Sequence, residues 1–267
     1  MNILLLYGAY IRTSIKAQMS YPASFMMQAA GQFLVTIIEF LGIWILFQRF
    51  GRLDDWKIGE VAIFYAVVNA GFALADTITR GFDVFGPEFV KTGNFDRLLL
   101  RPRSAALQLF GHEFRLSRIG RLGQACLVGA LGAHWLNLTW SLATLGVLGF
   151  AICGCIALFS GLMVLQATLS FWTVEGLEIV NTVTYGGVEA GQMPMSIYAR
   201  WFRDVLTYVV PLACVCYFPV LFILGKAQAA GVAPIAAAAA PAIGFAFLAF
   251  SFWVWGFGVR RYTSTGS

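Results

Sequence analysis

Long apolar blocks separated by short polar hairpins dominate this chain. The blocks at 23–47, 61–79, 142–170 and 236–257 approach or exceed the length that a helix needs to cross a bilayer's hydrocarbon core, about 20 residues. Another block begins amphipathically near Leu107 and becomes fully apolar over 122–135. Trp135 and Trp140 bracket the turn after it, where interfacial aromatics belong. Between Phe171 and Gly225 the pattern has two solutions. Residues 206–224 are apolar enough to span but hold Pro211 and Pro219, whereas 171–192 is less apolar and contains Glu175, Glu178 and Glu189. Either way the pattern predicts an all-α integral membrane protein of about six transmembrane helices, forming one membrane domain over 1–267 with no internal repeat.

Composition sharpens this picture. Of 267 residues 59% are hydrophobic and 12% charged, and the mean hydropathy is +0.76. Soluble domains run nearer a quarter charged, so lipid must cover most of this surface. The net charge of +5 is read as the basic excess of cytoplasmic loops and not as a nucleic-acid footprint. Eight of the 18 basic residues fall in 80–121, which places that segment in the cytoplasm and predicts an N-in, C-in topology. Charge counting leaves the fifth helix open: with 206–224 spanning, 14 basic residues lie inside and four outside, against 12 and six with 171–192. The start of the chain has no signal-peptide layout. Arg12 and Lys16 stand four apart beside Ile11 and Ile15, which predicts an amphipathic interfacial helix over 1–21.

Little catalytic chemistry is on offer. No phosphate-binding G-x-x-x-x-G-K-[ST] run exists, and the four lysines end none. Two histidines cannot build a histidine metal cluster or a hydrolytic triad. The five cysteines all lie in apolar stretches and read as small buried residues. We therefore expect no enzyme activity, no metal and no cofactor in this chain. Glu39, in the middle of the first span, marks an intramembrane polar site, and Glu175 and Glu178 share a helix face that could extend it. Asp76 is taken as interfacial. Glycines in the fourth span, Gly146, Gly149, Gly154 and Gly161, should let helices approach closely.

The segment 82–104 is the most informative. It sets Phe82, Phe85, Phe89, Phe95 and three successive leucines among dense charge, a pattern that predicts an apolar patch rimmed by charge and available to a partner protein. Within it Glu88, Gly93, Phe95, Asp96, Leu99, Arg101 and Pro102 resemble the E…G-x-F-D-x-x-L-x-R-P pattern of ABC-2 type permeases, membrane subunits of bacterial ABC transporters usually regarded as exporters. Ser170-Phe171-Trp172, Pro194 with Tyr198, and Pro211 with Pro219 extend the resemblance over nearly the whole chain. Met193 stands where an aromatic residue is expected before Pro194.

This resemblance implies a multi-pass subunit of the bacterial inner membrane, paired with an identical or paralogous permease. Two copies of a separate ABC ATPase would hold ATP and Mg. Segment 82–104, with Phe82, Phe85, Glu88, Phe89, Gly93, Phe95, Asp96, Leu99, Arg101 and Pro102, would couple to that ATPase. It also implies a broken, re-entrant element before the last helix, which favours 171–192 as the fifth span. A secondary carrier or channel, a lipid-modifying enzyme and a membrane scaffold are the competing readings. Glu39 alone as an intramembrane charge argues against the carrier.

Overall fold

The computed structural model describes residues 3–53, 55–173 and 177–263, and every regular element among them is a helix. Helix α1 (Ile3–Met19) is followed by α2 (Pro22–Phe50), whose first turn tolerates Pro22 because the missing N–H has no intrahelical partner there. A hairpin closed by a Leu53–Trp56 bridge leads to α3 (Ile58–Asp83). After a polar segment come α6 (Ile119–Leu136), α7 (Leu142–Leu169) and α8 (Leu177–Gly191). The last long helix is broken once, into α11 (Pro234–Ala239) and α12 (Ala242–Arg261), at Ala240 and Pro241.

Four helices are long and apolar enough to cross a membrane, Pro22–Phe50, Ile58–Val90, Leu142–Leu169 and Pro234–Arg261. They match the four longest apolar blocks of the sequence. With 18 residues, α6 is less apolar because it carries Arg121, Gln124 and His134, and α8 has only 15 residues. The stretch 206–224 is not one straight helix. Arms Arg200–Val209 and Ala213–Ile223 meet at 85°. Pro211 causes the break: it drives Val210 to an extended backbone (φ −112°, ψ 93°) and supplies no N–H for the ladder. Pro219 sits in the first turn of α10 (Phe218–Ile223) and does not interrupt it.

Helix α3 is apolar on nearly every face and forms the centre of the bundle, packed against α6 and α7. By contrast α2 and α12 expose most of their apolar surface. Small residues set the crossings. A Cβ built on Gly154 would lie 2.8 Å from the Cβ of Pro241, and one on Gly161 would lie 2.8 Å from the Phe247 ring, so α7 meets the last helix almost backbone to backbone. Gly146 and Gly149 have open space around them, so only two of the four glycines expected to permit close approach do so.

Candidate functional site

Helix α3 does not stop at the polar segment. It runs through Val84 and Phe85 into a turn of π-helix, Gly86–Val90. Gly93 then adopts a left-handed conformation (φ +69°), which glycine takes without steric cost, and reverses the chain into α4 (Asn94–Leu99). Asp96 lies in the first turn of α4, where the helix dipole favours an acid. Pro102 follows the end of α4, and Ser104 caps α5 (Ala105–Phe110) by accepting from the Leu107 N–H. Gln108 donates to Leu98 O (3.0 Å) and Arg103 O (3.2 Å), tying α5 to the end of α4. The G-x-F-D…R-P spacing is thus a turn, a plug, a helix start and a helix stop.

The plug corrects an expectation. Phe82, Phe85, Phe89 and Phe95 do not form an exposed patch; all four are buried. Phe85 packs on Phe95 (5.0 Å between centroids) and Trp255 (5.1 Å), and Phe95 on Tyr262 (4.9 Å) and Phe171 (5.4 Å). These rings gain more from burial against the ends of α7 and α12 than any solvated loop could offer. What faces outward is Leu100, 86% exposed, with Leu99, Arg97, Arg101, Pro102 and Arg103 around it. Leu98 is the buried member of the leucine run. Behind this tip Glu88, Arg97, Arg101 and His112 line a groove of about 740 Å³, and His112 Nε2 lies 3.1 Å from Glu88 Oε2.

Helix α1 is fastened to the same segment. Ser14 Oγ and Gln18 Nε2 both donate to Phe114 O, at 3.2 and 2.5 Å, and the Leu116 N–H donates to Gln18 Oε1 at 3.0 Å. The Tyr10 ring fills the space beside Gly111. The N-terminal helix and the polar segment therefore form one structural unit.

Two buried polar clusters tie this unit to the spans, and the sequence reading missed most of both. Asp76, taken above as interfacial, is fully buried within the protein. It pairs with Arg118 and with Arg80 (3.7 Å), and Arg80 also pairs with Asp83. Arg118 donates to Gln32 Oε1 (2.6 Å), and Gln166 to Asp83 Oδ1 (3.1 Å), which draws α2, α3 and α7 together.

The second cluster lies halfway along α2 and α3. Arg121, taken above as a loop charge, is buried and donates from Nε to Asn69 Oδ1 (2.8 Å), with its guanidinium 4.9 Å from the centre of the Phe72 ring. Tyr65 donates to Thr36 O (2.7 Å), and Gln124 Nε2 to the same carbonyl (3.3 Å). Glu39 lies one turn beyond Thr36, within electrostatic reach of Tyr65 and Arg121, and Glu189 of α8 also acts on that arginine. Glu178 falls in the first turn of α8, and Glu175 lies outside the described residues. Glu39 is therefore not the lone charge at this level of the helices, and that premise against a carrier fails. The signal in the sequence was the i, i+3 spacing of Arg118, Arg121 and Gln124 at the start of an apolar helix.

An all-helical bundle with four helices long and apolar enough to cross a membrane is the architecture of a multi-pass membrane protein. Residues 33–266 match the family model described as ABC-2 family transporter protein, and the chain belongs to that family. It is thus of the membrane-component type in an ABC transporter. No curated protein and no solved structure matches the chain.

Proposed function

We propose that this chain is the permease of an ATP-driven exporter in a bacterial inner membrane. It would form a single permease domain that dimerises with an identical or related subunit and is powered by two copies of a separate ABC ATPase. The observation that carries the reading is the Leu99–Leu100 tip. An apolar tip ringed by three arginines stands on a rigid aromatic plug at the end of the central helix. A push on the tip reaches α3 directly, and α3 holds both buried polar clusters. In this reading the segment 82–104 is the coupling element, α1 braces it, and the spans alternate access around a central path.

The same reading takes α2, α3, α6, α7, α8 and the α11–α12 pair as six spans with both ends inside. The 85° break at Pro211 supports a re-entrant element over 200–223 and α8 as the fifth span. At about 1.5 Å per residue α8 reaches about 22 Å, short of the roughly 30 Å core, which the flanking turns would complete. One observation favours a second reading: buried Arg121 with half-buried Glu39 nearby resembles the paired charges of ATP-independent carriers.

The test is coupled turnover. Arg101→Ala and Leu100→Asp should each lower cargo-stimulated ATP hydrolysis by the reconstituted complex about tenfold, the scale of one lost interfacial anchor of about 1–2 kcal/mol. Both positions are exposed, so thermal stability should not move. Unchanged turnover in both variants would remove the coupling role from this tip.

A further inference from the structure

We propose that Glu39, Gln124 and Tyr65 form a binding site, within the membrane, for the ammonium group of an otherwise apolar molecule. Two acceptors there lack donors. Glu39 Oε2 is buried with no hydrogen-bond partner, and so is Gln124 Oε1. Gln124 is wholly buried, and its other end is fixed by donation from Nε2 to Thr36 O (3.3 Å). Tyr65 spends its hydroxyl proton on that same carbonyl (2.7 Å). Thr36 and Glu39 are three residues apart on one face of α2, so the carbonyl that holds Gln124 lies one turn from Glu39.

Arg121 does not supply the missing donor. Its Nε is engaged by Asn69, its guanidinium plane lies over Phe72, and it makes no ion pair with Glu39. A buried carboxylate oxygen and a buried amide oxygen left without donors are costly unless a donor group, best of all a cationic one, reaches them. An ammonium group brings one positive charge and up to three donors, which answers both deficits. An anion or an uncharged acceptor answers neither.

Access and surroundings fit an apolar carrier for that group. Glu39 is half-buried, on the helix that exposes most of its apolar surface. Beside it Phe40 and Tyr65 pack edge to face at 5.2 Å, a wall of the kind that accommodates organic cations. The inference deepens the transport reading, and rests on it, in taking this molecule as cargo.

The test uses the purified full chain in lipid nanodiscs with no ATPase present. Dansylcadaverine, an aromatic probe ending in a primary ammonium, and its neutral N-acetyl form would be titrated while energy transfer from tryptophan to dansyl is followed. The wild-type chain should prefer the ammonium form by about tenfold or more, the scale of a hydrogen bond to a charged group. Glu39→Gln keeps side-chain volume and should erase the preference while binding the acetylated probe as before. Equal affinity of the two probes for the wild-type chain overturns the site, and so does a preference that survives in Glu39→Gln. The wild-type comparison decides alone if the variant does not fold. Because the ATPase is absent, loss of the site leaves the ATP-driven reading standing, and failure to find an ATPase leaves the binding result intact.

Discussion

Asp76→Ala should destabilise the fold by about 3–5 kcal/mol, the cost of removing one partner from a buried ion pair. Asp76 is wholly buried among Arg118 and Arg80. Removing it strands cationic side chains that are themselves only 13% and 16% exposed. Gln32 and Asp83 would still hold one arginine each, which sets the lower end of the range. The comparison is Glu113→Ala. Its pair with Arg115 is about a third exposed on both sides, and exposed pairs contribute about 0–1 kcal/mol. Thermal unfolding in a mild detergent reads both. The Asp76 variant should melt well below the wild type or fail to elute as a single species, and the Glu113 variant should be unchanged. Equal stability of the Asp76 variant would mean that this cluster is hydrated and does not brace the helices.

The second large effect is steric. Gly154→Leu should cost about 3 kcal/mol, at the upper end of overpacking penalties. The new side chain would enter the space held by Pro241 Cβ at 2.8 Å and Pro241 O at 2.9 Å. That backbone cannot retreat, because Gly244 on the same helix already rests against the Gly154 carbonyl. A Cβ at Gly149, about one turn and a half away on the same helix, meets nothing within 4 Å, and Gly149→Leu should be neutral. The pair separates helix crossing from helix propensity, since both changes replace glycine by the same good helix former. Loss of folded yield in both variants would place a contact at Gly149 that this packing lacks.

Why some of this was legible and some was not comes down to periodicity. Spans such as 23–47 and 142–170 declare themselves, because bilayer thickness imposes a length that few other structures share. The break at Pro211 was also legible, since proline removes a donor wherever it falls. Burial was harder to read. Phe85 and Phe95 stand in a charged segment, and only the folded ends of α7 and α12 supply the Phe171 and Trp255 that cover them. Arg121 reads as one more loop charge until α6 is seen to begin at Ile119 and carry it to Asn69. Leu98 and Leu99 differ by one position, and only the register of α4 decides which one faces out. For the phenylalanines and Arg121 the missing information is a long-range partner.

The central claim is that this ABC-2 family chain works with a separate ATPase. Gentle detergent solubilisation of the tagged chain from its native host, followed by mass spectrometry of what co-purifies, tests it most directly. The account predicts roughly stoichiometric recovery of an ATPase carrying a phosphate-loop motif, lost when Leu100→Asp and Arg101→Ala are combined. A stable, folded chain that comes down alone would contradict it and move the reading to an ATP-independent carrier built around Glu39 and Arg121.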